Sequence, residues 1–370
     1  MSGKPSCIRC GRCLSVCPLF RATGREELAP RSKSMLLETL DRGYGETPQL
    51  SAEKLAAMCL GCRRCLDVCP QGVNAPQAVA ELRAVHPDFK TWLWKNALRR
   101  PQAFFPLAGL APRGMAPKGL DFSGLEPPSE GPWVEIVAAS TCFQGRKAVL
   151  FPGCAATSLV RRWRTKAENL LAALGVDLLP ADFGCCGSPQ ESGGLLHEAK
   201  ASRVRFAALW RKLGRPLVAT ICATCRNGLR QTAEELNAEE AQALREAVTP
   251  LSAMLMQSQT RLTDAAPELV AFHKPCHETS PADELWLSKS LGDRFFAPDV
   301  GECCGFGGAL RLAEPDLAAQ VGRRCWDSLT ATGAQTAVTG CTACVLALSV
   351  QAPPTARAFH WLDIFAQSLR

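Results

Sequence analysis

Cysteine spacing constrains this chain more than any other feature. Two groups read Cys-x2-Cys-x2-Cys-x3-Cys-Pro, at Cys7, Cys10, Cys13, Cys17 and at Cys59, Cys62, Cys65, Cys69. Two others read Cys…Cys-Cys-Gly…Cys-x2-Cys, at Cys154, Cys185, Cys186, Cys222, Cys225 and at Cys276, Cys303, Cys304, Cys341, Cys344. Of the 20 cysteines only Cys142 and Cys325 stand outside these groups, and they read as ordinary small apolar residues. Thiolates spaced in this way have few uses. The use that accounts for most of them is to hold iron–sulfur clusters in a row and pass electrons along it.

A disulfide framework is the weaker reading. The N-terminal MSGKPSCIRCGRC has no apolar stretch of a secretory signal, and no apolar run reaches the ~18 residues of a membrane span. The expected location is therefore the cytoplasm, or the inner face of a membrane reached through a partner, where thiols stay reduced or bind metal. Hydrophobic residues at 47% and charged residues at 21% support packed cores and argue against disorder. A net charge of +7 is a mild bias spread along the chain; it reads mainly as an ordinary solvated surface, with an acidic partner or a membrane surface as the alternative, and no nucleic-acid-reading motif accompanies it.

The Cys-x2-Cys-x2-Cys-x3-Cys-Pro run is the signature of a four-iron cluster. Three closely spaced thiolates wrap one cube and the fourth, before proline, reaches the other. On this pattern Cys7, Cys10, Cys13 and Cys69 hold one cluster, and Cys59, Cys62, Cys65 and Cys17 the second. Pro18 and Pro70 fix the turns through their set φ. Structural zinc is the alternative, but it takes four ligands rather than two tight quartets. Between the quartets, Ser34–Leu40 and Ala52–Met58 carry apolar residues at helical spacing, and Pro76–His86 is a further helix with Val79, Leu82 and Val85 or His86 on one face. The segment resembles the helical ferredoxin domain of respiratory dehydrogenases.

From Pro101 to Pro132 proline and glycine crowd the chain, and 101–145 reads as a linker between domains. The aromatics around its start, Trp92, Trp94, Phe104 and Phe105, either pack on their own domain or dock a partner protein. Beyond it one pattern runs twice. Cys276 follows Cys154 by 122 residues, Cys303 follows Cys185 by 118, and Cys341 follows Cys222 by 119. So steady an offset marks a duplicated domain. In each half, short apolar runs end at cysteines: Ala148–Phe151, Val176–Leu179 and Leu217–Ile221, then Leu269–Phe272 and Ala337–Thr339. A helix with Trp163, Ala167, Leu170, Leu171 and Leu174 on one side closes at Gly175. Ligands of open α/β sheets sit past strand ends, where these cysteines fall.

The fold class expected is a multidomain α+β and α/β chain: a helical ferredoxin domain with two [4Fe-4S] clusters over 1–100, the linker, and two α/β halves over 146–262 and 263–370. Each half offers five thiolates, one more than a cubane cluster needs. Zinc is satisfied by four, and a redox disulfide within a Cys-x2-Cys pair leaves three unexplained. No flavin or nucleotide fingerprint is visible. Gly305-Phe306-Gly307-Gly308 follows Cys304 and reads as a turn around a cluster.

The doubled five-cysteine motif behind a two-cluster ferredoxin resembles the iron–sulfur oxidoreductases with duplicated cysteine-rich CCG domains. These include heterodisulfide reductase B and D subunits and the iron–sulfur subunits of glycolate, lactate and anaerobic glycerol-3-phosphate dehydrogenases. The resemblance implies one or two further four-iron clusters, cubane or non-cubane, on the ten cysteines of the two halves. It implies a flavoprotein partner carrying FAD or FMN, such as a 2-hydroxyacid dehydrogenase, and a quinone, cytochrome or other carrier as the other terminus. A membrane cytochrome b or quinone-reactive subunit would supply that terminus. Ala29-Pro30-Arg31-Ser32-Lys33 and Phe151-Pro152-Gly153-Cys154 look like the hydroxyacid-dehydrogenase partners. Keeping both Cys341 and Cys344, which several of those partners do not, points instead to the heterodisulfide type. Two readings stay open: an electron-transfer subunit, or a catalytic subunit that reduces a disulfide or persulfide at its paired clusters. A zinc-stabilised scaffold is a third. His277, next to Cys276, is a candidate catalytic residue, able to hydrogen-bond a cluster sulfur or protonate a leaving thiolate.

Overall fold

The computed structural model describes residues 5–41, 54, 58–85, 96 and 125–366. The apolar runs of the duplicated region become short parallel strands, because helices cover both faces of each sheet and both faces must be apolar. In the first half β2 (Lys147–Phe151), β3 (Asp177–Leu178), β4 (Leu217–Thr220) and β5 (Val248–Pro250) lie in the order β3-β2-β4-β5. In the second, β7 (Val270–Phe272), β8 (Phe295–Phe296), β9 (Thr336–Thr339) and β10 (Arg357–His360) repeat that order as β8-β7-β9-β10. The register is equally regular, with Leu150 opposite Ala219 in one sheet and Ala271 opposite Ala337 in the other.

The helix Arg161–Ala173 buries the face expected of it, Trp163, Ala167, Leu170 and Leu171. It ends in a Schellman turn. Val176 N–H reaches Leu171 O at 3.1 Å and Gly175, at φ 66°, reaches Ala172 O at 2.9 Å.

The two halves share one core. Trp163 of the first, Trp286 of the second and Trp361 near the C-terminus pack in the same cluster, each 0% exposed. The C-terminal segment also returns to the first half. Lys166 Nζ donates to the carbonyls of Leu362, Asp363 and Phe365, each at 3.1 Å, while Asp363 accepts from Arg162 and from Trp163 Nε1.

Two expectations need correction. The expected linker 101–145, described from Leu125 onward, contains β1 (Val134–Ala138). β1 pairs antiparallel with β6 (Gln259–Leu262) and bridges to Phe365. Its hydrogen-bond partners lie more than a hundred residues away, so local composition could not announce it. The helix Ala75–Val85 forms where 76–86 was expected, but Val85 is 72% exposed. Its buried stripe is Ala75, Val79 and Arg83 at four-residue spacing, because Arg83 reaches across to Ser192 O (2.6 Å) and Cys59 O (2.7 Å). Ser34–Leu40 falls inside the helix Pro30–Asp41. Of the other expected helix only Lys54 and Met58 are described, and Trp92, Trp94, Phe104, Phe105, His86 and 101–124 lie outside the described residues. Among the described residues no helix is long and apolar enough to cross a membrane.

Candidate metal centre

In the N-terminal segment, Gly11 at φ 80° starts the helix Arg12–Val16 and turns Cys13 toward Cys7 and Cys10. These three line one cavity together with Cys69 and the rim of Cys65. Cys17 turns the other way. It precedes Pro18, the first residue of the helix Pro18–Thr23, and faces the charge of Cys59. Burial pushes the Cys13 and Cys17 thiols up and, with Cys59 nearby, takes Cys65 to about 12. Lys33 is buried against this second quartet, at 2% exposure, within the fields of Cys59, Cys17 and Cys65, and its ammonium donates to Leu28 O. Its pKa is lowered by burial, which those thiolates oppose. Lys33 belongs to a segment singled out in the sequence, yet nothing in its spacing marked it as a neighbour of Cys59.

In the duplicated region the two central strands of each sheet end two to four residues before a cysteine. β2 delivers Cys154, β4 Cys222, β7 Cys276 and β9 Cys341. The ten thiols form one connected line. Cys154 contacts Cys185, Cys185 contacts Cys186, Cys186 contacts Cys225, and Cys225 contacts Cys222. Cys222 then meets Cys341 of the other half. From there the line runs through Cys344, Cys304 and Cys303 to Cys276, with Cys304 and Cys344 Sγ 3.3 Å apart.

Hydrogen bonds from Cys225 and Cys341 hold Cys222 well below the usual thiol range. Those from Cys276 and Cys304 do the same for Cys303. Their neighbours are pushed up, Cys185 and Cys186 to about 12, through the hydrogen bonds they donate and through burial. So many thiols packed away from water are costly as thiolates alone, and a cationic metal cluster reverses that cost. The donor set is all sulfur, in fours and fives, and it fits iron–sulfur clusters.

Backbone permits the approach. Gly153 has φ 78°, and a Cβ there would stand 2.6 Å from Cys225 Sγ. A Cβ on Gly340, just before Cys341, would stand 2.0 Å from Asp283 Oδ2. Arg226, beside Cys225 and 1% exposed, pairs with Glu278 and lies 3.6 Å from Asp283, tying the first half's ligand turn to the second half's. Burial and Asp283 push the Glu278 carboxyl up to about 7.

A model for the 4Fe-4S dicluster domain matches residues 5–73, and one for the cysteine-rich CCG domain matches 148–230 and 270–349. Together these cover well over half the chain and contain all eighteen motif cysteines. The chain belongs to the CCG-domain iron–sulfur proteins. It is 25% identical to the glycolate oxidase iron-sulfur subunit of Escherichia coli, over 98% of this chain and 94% of that protein. It is 24% identical to a probable glycolate oxidase iron-sulfur subunit of Bacillus subtilis, over 93% and 88%. It is 25% identical to the heterodisulfide reductase D polypeptide of Methanosarcina acetivorans, over 85% and 81%.

In this CCG protein the ferredoxin segment meets the first half through Arg83 and packs a hydrophobic cluster on the second. Cys17, Leu19, Leu28 and Leu60 pack with Cys303, Leu310 and Val321. Arg21 pairs with Glu302 at 2.6 Å, and Arg64 Nη1 donates to Gly301 O at 2.7 Å. Cys62 lies within the field of Cys303, and Arg64 between them feels Cys303, Cys276 and Cys62. An open cavity at this junction is walled by Cys62, Cys276, Cys303, Cys304, Cys341 and Cys344; no first-half ligand cysteine lines it.

His277 lines the same cavity, and both its nitrogens are engaged. Nε2 donates to Gly61 O at 3.1 Å, and Nδ1 faces Thr224 Oγ1 at 3.3 Å. Thr224 Oγ1 is in turn 3.2 Å from Cys341 Sγ. His277 therefore reaches Cys341 Sγ through Thr224, a link that the Cys-x2-Cys motif hid as one of its two spacer residues. Burial lowers its pKa. Cys142 is exposed and its Sγ lies 2.8 Å from Gln257 Oε1, away from every site, whereas Cys325 is buried beside Cys303.

Proposed function

We propose that this chain is the electron-transfer subunit of an oxidoreductase complex, relaying electrons between a flavoprotein that oxidises a 2-hydroxy acid and a quinone, cytochrome or other carrier. The observation that carries the reading is the line of ten sulfurs through the two halves, with Cys62 of the ferredoxin segment in the field of Cys303. In this reading Cys7, Cys10, Cys13 and Cys69 hold one cubane cluster and Cys17, Cys59, Cys62 and Cys65 the next. Cys276, Cys303, Cys304, Cys341 and Cys344 hold the third, beside Cys62, and Cys154, Cys185, Cys186, Cys222 and Cys225 the fourth, beyond the Cys222–Cys341 contact. Electrons then pass through the second half before the first. The clusters supply one-electron chemistry. The chain supplies ligands, burial and hydrogen bonds to sulfur, which set each potential. The similarity to glycolate oxidase iron-sulfur subunits supports the choice of partner.

Anaerobic reconstitution followed by iron and sulfide counts tests the reading. Four four-iron clusters give about 16 iron atoms per chain. A count near eight would sink the role of the duplicated region, and zinc without iron would sink the whole.

One observation favours the second reading, direct reduction of a disulfide or persulfide. The junction cavity exposes the second half's sulfurs, with the Thr224–His277 pair as a route for a proton. Added disulfide that perturbs the paramagnetic signal of the second half and is turned over to thiol supports it. An unchanged signal without turnover counts against it.

A further inference from the structure

The two halves carry the same ligands but are backed differently. Behind the first site stand three phenylalanines. Phe151 is three residues before Cys154, Phe183 two before Cys185, and Phe206 is the eleventh residue of the helix Leu196–Lys212. All are buried, and their ring centroids lie 5.8, 5.8 and 5.0 Å apart. The equivalent positions of the second half are His273, three before Cys276, Gly301, two before Cys303, and Cys325, eleventh in the helix Pro315–Leu329. An aromatic wall has become a cavity with polar walls, lined by His273, Gly301 and Cys325 together with Lys274, Asp299 and Glu302.

His273 is the residue aimed at the site. It is 3% exposed, and one of its ring nitrogens lies within 4.8 Å of the Sγ atoms of both Cys304 and Cys344. Nδ1 faces Thr339 Oγ1 at 3.2 Å, whose hydroxyl can donate to it. That leaves Nε2–H as the ring's unspent donor, and Nε2 has no hydrogen-bond partner. A buried imidazole donor is rarely left unpaired; the Glu302 carbonyl lies near the ring without an aligned hydrogen bond to Nε2, and sulfur is the other acceptor at hand.

We propose that His273 donates a hydrogen bond to sulfur of the second-half cluster and thereby makes that cluster the higher-potential member of the pair. The inference rests on the cluster reading above. A one-electron reduction adds negative charge to the cluster without making or breaking a bond. A donor at its sulfur stabilises the reduced form, while three apolar rings at the other site give no such help. The electron arrives from the neighbouring ferredoxin cluster, which is oxidised in the same step. The second site then holds the electron that the first would pass back.

The test is a redox titration of the full reconstituted chain followed by electron paramagnetic resonance, with iron counted in every sample. Signals are assigned by the one that Cys185→Ser removes. His273→Phe, which copies Phe151, is expected to keep its iron and shift the second-half midpoint down by about tenfold in the one-electron equilibrium, or about 59 mV. His273→Gln, which keeps an N–H donor, retains most of the wild-type value. Phe151→His shifts the first-half midpoint up. An exchangeable-proton coupling seen at the second-half cluster of the wild type is lost in His273→Phe. Unchanged midpoints with full iron overturn the proposal. Loss of second-half iron from both His273 variants also overturns it, since His273 would then hold the site together rather than tune it. A wild type without iron in the second half defeats the cluster reading instead, and the iron count tells the two failures apart.

Discussion

Gly153 shows how tightly a single residue governs a ligand here. Its positive φ and the approach of Cys225 Sγ leave no room for a methyl group. Gly153→Ala is expected to lose the first-half cluster, lowering iron by about four atoms per chain while the ferredoxin signals persist. His360 is the clearest pH-sensitive residue. It is fully buried, accepts from Leu362 N–H at Nδ1 and so donates from Nε2 to Ile221 O at 3.0 Å. Burial holds its pKa below the ordinary 6.5. The unfolded chain therefore binds more protons below that pH. Stability is full above about 6.5 and falls as pH drops toward the folded value. His360→Gln should flatten the acid side of a urea-midpoint-versus-pH curve. His273 and His277, which burial also pushes down, add to the remaining slope, and Glu278, raised to about 7, opposes it. The eighteen motif cysteines were legible because each motif is local. Lys33, Thr224 and His273 were not, since what gives them meaning is a sulfur brought in from another segment.

At the scale of elements, the central strands of both halves were readable from apolar runs ending near cysteines, the edge strands β5, β8 and β10 were not, and the repeat offset predicted that one half would copy the other. β1 escaped because its partner β6 lies more than a hundred residues further along the chain. The pairing of the halves through Arg226 escaped too, since an arginine inside a helix usually marks a solvated face. Its guanidinium instead neutralises Glu278 and Asp283 away from water. Arg226→Met strands two buried carboxyls and is expected to cost about 3–5 kcal/mol, read as a lower urea midpoint. Adding Glu278→Gln and Asp283→Asn should recover a large part of that loss.

For the molecule as a whole, the ferredoxin segment is wired to the second half through Cys62, Arg64 and Cys303. Burial opposes the Arg64 charge, but the thiolates of Cys303, Cys276 and Cys62 more than offset this, and its pKa is raised. Arg64→Met is expected to leave iron content unchanged and to slow reduction of the second-half cluster by the ferredoxin clusters about tenfold, measured by rapid freezing. One partly buried charge interaction is worth about 1–4 kcal/mol. An unchanged rate would show that the charge plays no part in the transfer. The sequence foretold which domains are present but not which half sets its cysteines beside Cys62, because both halves carry the same motif.

The Lys166 clasp on the carbonyls of Leu362, Asp363 and Phe365 bears on how such a chain is made. The first half completes its core only with a segment almost two hundred residues further along the chain. Its cysteines, synthesised earlier, are expected to wait as free thiols until that segment closes over Trp163. Any cluster insertion there would follow that closure, and the thiols would need guarding from oxygen through the whole interval.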